Sequence, residues 1–203
     1  MSHFTVMAIG SDWEKQLAPY SENTEVEEYS RPIDVEDLTR FSEYYREKRP
    51  EDVNLSFTEL YKKHGKDWNG STWREDAEGR WMEYSHYNQD SKWDWYALGG
   101  RWMGSLKLKK DASGILGSPG VFDNSAEEGT CNQAFKKDID FEQMEAFPTF
   151  AVVKDGKWYE KGKMGWWAMV ADEKDQHTWE EEFKKLLAEV DDDTLISIVD
   201  CHI

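Results

Sequence analysis

Near its C-terminal end the chain carries Thr194-Leu195-Ile196-Ser197-Ile198-Val199, a run that is apolar on both alternating sets of positions. Successive side chains of a strand point to opposite faces, so such a run is stable only where both faces of a sheet are covered. It predicts a central strand. Phe4-Thr5-Val6-Met7-Ala8-Ile9, closed by Gly10-Ser11-Asp12, reads as a second strand of the same buried kind. Ahead of the C-terminal run, Trp179, Phe183, Leu186, Leu187 and Val190 recur at helical spacing, Thr178 and Glu181 have capping-box spacing, and Asp191-Asp192-Asp193 ends the helix. Strands and helices of this kind predict an α+β fold with a mixed, mainly antiparallel sheet and helices on one face, an elaborated ferredoxin-like arrangement being one form of it. One domain over residues 1–203 is expected, because no flexible linker divides the chain.

The intervening chain adds further elements. Asp34 can cap a helix running to about Arg49, with Val35, Leu38, Phe41 and Tyr45 on one side and Pro50 stopping it. Ser56 to His64 predicts a second helix, with Gly65 beyond it. Thr149 to Lys154, Asp155-Gly156 and Lys157 to Glu160 predict a hairpin, and Gly165 to Val170 an apolar extension of its second strand past a bulge. Cys131 to Met144 reads as helical. Residues 11–33 read as an acidic surface loop and 111–130 as a long exposed loop. Residues 66–90 lack sustained periodicity and read as an irregular insertion with one short strand near Arg80 to Tyr84. Their aromatics, Trp68, Trp73, Trp81, Tyr84 and Tyr87, either cover a satellite core or line a cleft.

Charge narrows the functional classes. The net charge of −17 opposes general DNA or RNA binding, which depends on Lys and Arg neutralising phosphates. Glu22 to Asp37 carries −6 and Asp172 to Asp193 carries −7, whereas Lys92 to Lys110 carries +4. No basic region followed by a long apolar segment opens the chain, and nowhere do about 18 apolar residues run together, so a cytoplasmic location without membrane contact is expected. Cys131 and Cys201 lack the spacing of a disulfide framework or zinc knuckle, and no metal or cofactor is expected.

The locally basic stretch Lys92-Trp93-Asp94-Trp95-Tyr96-Ala97-Leu98-Gly99-Gly100-Arg101-Trp102-Met103-Gly104 is the principal candidate site. Trp93, Trp95 and Ala97 alternate with Asp94, Tyr96 and Leu98; the half after the glycines, as far as Lys109, reads as a strand. Gly99-Gly100 fits a turn, a bulge or a close backbone approach. Arg101 offers a planar donor fork for phosphate or carboxylate, Lys92 adds a cation, and Trp93, Trp95, Tyr96 and Trp102 are of the type that stacks on a base. The competing reading is a packed aromatic core with Arg101 paired to a structural acid. Neither GxxxxGK[ST] nor GxGxxG occurs.

A second candidate is Asp200-Cys201-His202-Ile203. On a strand Asp200 and His202 share a side while Cys201 faces away, so Asp200 could orient His202 as a general base, with His86 and His3 completing a site in space.

Ser2-His3-Phe4-Thr5-Val6 with Gln16 to Tyr20, Lys92 to Tyr96, Gly99 to Trp102, Glu160 to Trp166 and Val199-Asp200-Cys201-His202-Ile203 resemble an uncharacterised family of bacteriophage and bacterial proteins. The family supplies no catalytic residues. The resemblance implies a phage accessory, such as one acting against host defence proteins or their nucleotide signals.

The sequence therefore predicts a binding protein that holds a small anionic or nucleotide-derived ligand at the Trp/Arg/Gly-Gly surface. Two alternatives stand beside it: an acid/base enzyme using Asp200, His202 and His86, and an acidic inhibitor of a basic host protein. A second copy of the chain is a further possible partner.

Overall fold

The computed structural model describes residues 2–66, 71–119, 125–144, 149–165 and 169–203. Trp68 of the aromatic segment and Trp166 of the resemblance blocks lie outside these. In chain order the strands are β1 (His3–Ile9), β2 (Tyr29–Pro32), β3 (Ser71–Glu75), β4 (Trp81–Ser85), β5 (Trp95–Leu98), β6 (Leu106–Lys107), β7 (Thr130–Cys131), β8 (Gln133–Phe135), β9 (Ala151–Lys154), β10 (Lys157–Glu160), β11 (Lys163–Met164), β12 (Val170–Ala171) and β13 (Leu195–His202). The helices are α1 (Trp13–Leu17), α2 (Val35–Lys48), α3 (Phe57–His64) and α4 (Gln176–Ala188). The fold is α+β. The chain divides into two compact units, Met1–Glu22 with Asp90–Ile203, and Asn23–Gln89.

The first unit is built on a sheet of order β10-β9-β1-β13-β5, with β8 also pairing β13. Both runs predicted as central strands hold central places. β1 lies antiparallel to β13 from His3↔His202 to Ile9↔Ile196 and parallel to β9, so the sheet is mixed and mainly antiparallel. On one face Met7, Ile9, Val152, Ile196 and Ile198 meet Trp179, Phe183, Leu186 and Leu187 of α4. Trp179 also donates its indole N–H to the Thr149 carbonyl at 3.1 Å, fixing the helix to the sheet. The opposite face packs Phe4, Val6, Ala8, Val199 and Cys201 against Leu17 of α1 and Trp93. Along β9–β10 the hairpin turns at Asp155 and Gly156, both at positive φ (53° and 70°), as a two-residue primed turn requires.

Local hydrogen bonding moves several predicted elements. α4 begins earlier than Thr178, because the Asp175 carboxylate accepts the Thr178 N–H at 3.0 Å and serves as its cap. The helix predicted over Cys131 to Met144 is instead β7, β8 and two short 3-10 turns. There Gln133 is buried with its amide donating to Ser197 Oγ at 2.8 Å, an edge-strand pairing that helical spacing cannot supply. The strand predicted after Gly100 is interrupted by a 3-10 turn and by Gly104 at φ 72°, which leaves only β6. β11 pairs with β12, and the apolar extension predicted over Gly165 to Val170 includes residues 166–168, which lie outside the described residues. Within residues 11–33, α1 and β2 form where a loop was expected.

The second unit holds α2, α3 and a sheet of order β2-β4-β3. Residues 71–85 thus form two strands where one was expected. The turn between them is closed by Asp76, which accepts the backbone N–H groups of Glu78 and Arg80 at 2.9 and 2.8 Å. Phe41, Phe57, Tyr61, Trp73 and Trp81 pack with ring centroids 4.7–6.4 Å apart, an aromatic core that makes strands of a segment lacking alternation. α3 carries the capping box Ser56/Glu59. Among the described residues no helix is long and apolar enough to cross a membrane.

Candidate functional site

The predicted aromatic stretch divides between the two faces of the first unit's sheet. Trp93 is core: its indole N–H donates to the Leu17 carbonyl at 3.2 Å and its ring meets Tyr96 edge-on at 4.9 Å. Tyr96 is half-buried beside Trp13 and Glu14, and burial, with Glu14 adding to it, pushes its hydroxyl above the usual tyrosine range. Lys92 is paired with Glu160 at 3.0 Å. Trp102 packs half-buried against the α4-side core. Trp95, 42% exposed, and Arg101 are the two large side chains of the stretch that lie open on the surface.

Gly99 and Gly100 are a close backbone approach, made by protein side chains. Both have positive φ, 81° and 50°. A Cβ on Gly99 would stand 2.7 Å from Asn132 Oδ1, and one on Gly100 would overlap Asp200. Asn132, fully buried, accepts the Gly104 and Gly117 N–H groups at 3.0 and 3.1 Å and donates to the Trp102 carbonyl at 2.9 Å, so it holds the turn from within. Nothing in the sequence around Asn132 marks it for this role.

The C-terminal candidates arrive at the same place by strand register. His3, His202 and Trp95 face one another across β1, β13 and β5, with Thr5, Asp200 and Ala97 as the next row. Asp200, fully buried, binds His3 Nδ1 through Oδ1 at 2.8 Å and accepts the Arg101 backbone N–H through Oδ2 at 3.0 Å. His202 takes its carboxylate from Asp94, Nδ1 to Oδ1 at 2.6 Å. Asp200 therefore orients His3 and the Arg101 turn, not His202, because two residues on one side of a strand stand about 7 Å apart. The two imidazoles meet edge to face at 4.9 Å, and the His3 ring lies 6.0 Å from Trp95. His202 Nε2 is buried and has no hydrogen-bond partner among the described residues. The nearby Glu22 carboxyl is raised above its ordinary range, first by desolvation and then by Asp94, with His202 acting in the opposite sense.

Other candidates stand apart chemically. His86 belongs to the second unit, where its Nδ1 lies 3.2 Å from the Val26 carbonyl. Cys131 and Cys201 are both free and buried; burial pushes the Cys131 thiol up to about 11, and burial followed by Asp200 raises that of Cys201. Among the described residues, no group of three or more His, Cys, Asp or Glu side chains is placed to hold a metal ion.

What this arrangement can do follows from its chemistry. Two imidazoles are each held by a carboxylate, and the exposed Arg101 side chain on a glycine turn can meet an anion. Comparison with protein-family models, curated proteins and solved structures gives no match to this chain.

Proposed function

We propose that the first unit binds a small anionic, nucleotide-derived ligand at the surface of β5 and the turn after it, where Trp95 and, beyond Gly99 and Gly100, Arg101 are exposed, and that the protein works as a phage-type accessory in the host cytoplasm. One observation carries this reading: the buried Asp200 carboxylate binds both His3 and the Arg101 backbone N–H, which fixes the turn that presents Arg101. Preorganisation of that kind lowers the ordering cost of binding. Arg101 supplies the charge-assisted contact and Trp95 an exposed ring for stacking. The test is calorimetry with a panel of nucleotides and cyclic nucleotides. Arg101→Ala should weaken binding roughly tenfold or more, the loss of one hydrogen bond to a charged group, with thermal unfolding unchanged. If the wild type binds no member of the panel, or Arg101→Ala binds equally well, the reading fails.

A second reading rests on Asp94 and His202. A carboxylate holding Nδ1–H leaves Nε2 as the basic nitrogen, the disposition of a general base. Under this reading the ligand is turned over, and both Asp94→Asn and His202→Gln abolish turnover while binding persists. Turnover that survives both changes excludes it.

A further inference from the structure

We propose that the second unit carries a site of its own for an uncharged, flat heteroaromatic ring with hydrogen-bond acceptors on its edge, a ring of the nucleobase kind. This site does not depend on the reading given to Arg101. A cleft of about 660 Å³ lies on the β2-β4-β3 sheet, walled by Tyr29, Phe41, Tyr61, Trp73 and Tyr87. That volume suits a small organic ligand, for which about 300–1,000 Å³ is usual.

Strand register explains the recess. Tyr29, Ser85 and Ser71 form one row across the sheet, and Arg31, Glu83 and Trp73 the row beside it. Two serines thus sit between large aromatics, and their small side chains leave a recess in the sheet face. The walls are held in place: the Trp73 N–H donates to Tyr61 Oη at 2.8 Å, and the Tyr29 hydroxyl to the Tyr87 carbonyl at 3.1 Å. The rings of Tyr61 and Trp73 lie nearly parallel, 8° apart.

The floor offers a directional contact. Ser71 Oγ donates to Ser85 Oγ at 2.7 Å, and Ser85 Oγ also accepts the Tyr87 N–H at 3.0 Å. Two hydroxyls carry two protons, and this arrangement uses one. The second is left for an acceptor, such as a ring nitrogen or carbonyl, entering the recess.

Local charge in the cleft is small. Arg31 is paired with Glu83 at 2.5 Å, so the two cancel while presenting both donors and acceptor lone pairs, and the exposed Lys66 leaves the lining with a net charge of +1. Residues 23–89 hold 16 acidic and 10 basic side chains, which repels a phosphate at longer range.

The experiment is calorimetric titration of the whole protein with adenosine, guanosine, cytidine and uridine, with inorganic phosphate as competitor. At least one nucleoside should bind saturably, and millimolar phosphate should not displace it. Ser71→Leu, which fills the recess, should abolish binding; Ser71→Ala/Ser85→Ala, which removes the floor donor, should weaken it about five- to tenfold. Absence of binding by all four nucleosides at millimolar concentration overturns the proposal. So does wild-type affinity in folded Ser71→Leu protein or, if that variant does not fold, in the double alanine variant.

Discussion

Asp200 and Arg101, ninety-nine residues apart in sequence, are joined by a 3.0 Å hydrogen bond from the Arg101 backbone N–H to a fully buried carboxylate. Gly100 makes the bond possible, because its φ of 50° and missing Cβ let the turn close over Asp200. Gly100→Ala adds both backbone strain and a clash with a side chain that has nowhere to move. It should cost about 1–3 kcal/mol or more in urea unfolding, with ligand binding at Arg101 weakened in parallel.

Asp94→Ala tests the second histidine pair. Removing the carboxylate leaves His202 Nδ1 without its acceptor on a ring whose other nitrogen has no hydrogen-bond partner among the described residues. The expected destabilisation is about 1–3 kcal/mol, read by denaturant unfolding. In the wild type, nitrogen-detected NMR of the neutral imidazole should find the proton on Nδ1 of His202.

The buried Asp52 gives the second unit an acid-sensitive contact. Hydrogen bonds from Lys63 at 2.6 Å and then His64 at 2.7 Å hold its carboxyl below the ordinary range. A depressed carboxylate contributes stability above its unfolded value, near about pH 4, and loses it as the pH falls through the folded value. Thermal unfolding followed downward from neutral pH should show this loss below about pH 4, and Asp52→Asn should flatten that part of the profile while lowering stability at neutral pH.

Phe183, 1% exposed between α4 and the sheet, is a test of the core. Phe183→Ala should cost about 3–5 kcal/mol in urea unfolding through lost burial and the cavity left behind. A cost under about 1 kcal/mol would mean that α4 is not packed there.

Neither thiol should be reactive in the native protein. With both cysteines buried and their thiols shifted upward, a chromogenic disulfide reagent at pH 8 should label neither until urea is added, and then both.

The sequence was most informative where one periodicity governed a whole element. The runs Phe4 to Ile9 and Thr194 to Val199 declared themselves central because both faces are mainly apolar, interrupted only by the small hydroxyl residues Thr5, Thr194 and Ser197, and Asp155-Gly156 admits few backbones other than a primed turn. It was least informative where long-range contacts decide. Cys131 to Phe135 is extended because Gln133 reaches Ser197, and residues 71–75 and 81–85 are strands because Trp73 and Trp81 enter an aromatic cluster with Phe57 and Tyr61. At the site, alternation along β13 correctly placed Asp200 and His202 on one side. Their partners, His3 on β1 and Asp94 in the bend just before β5, come from elsewhere in the chain, and only the pairing of those strands with β13 could assign them.

The antiparallel pairing of His3 with His202 also sets how the central sheet can form. The two partners stand 199 residues apart in sequence, so β1 and β13 meet only when all the chain between them is present. Until β13 docks, that edge of β1 stays open, and its apolar residues are exposed to any other unpaired edge. Completion of the central sheet therefore has high contact order and is expected to be slow compared with formation of α3 or the β9–β10 hairpin.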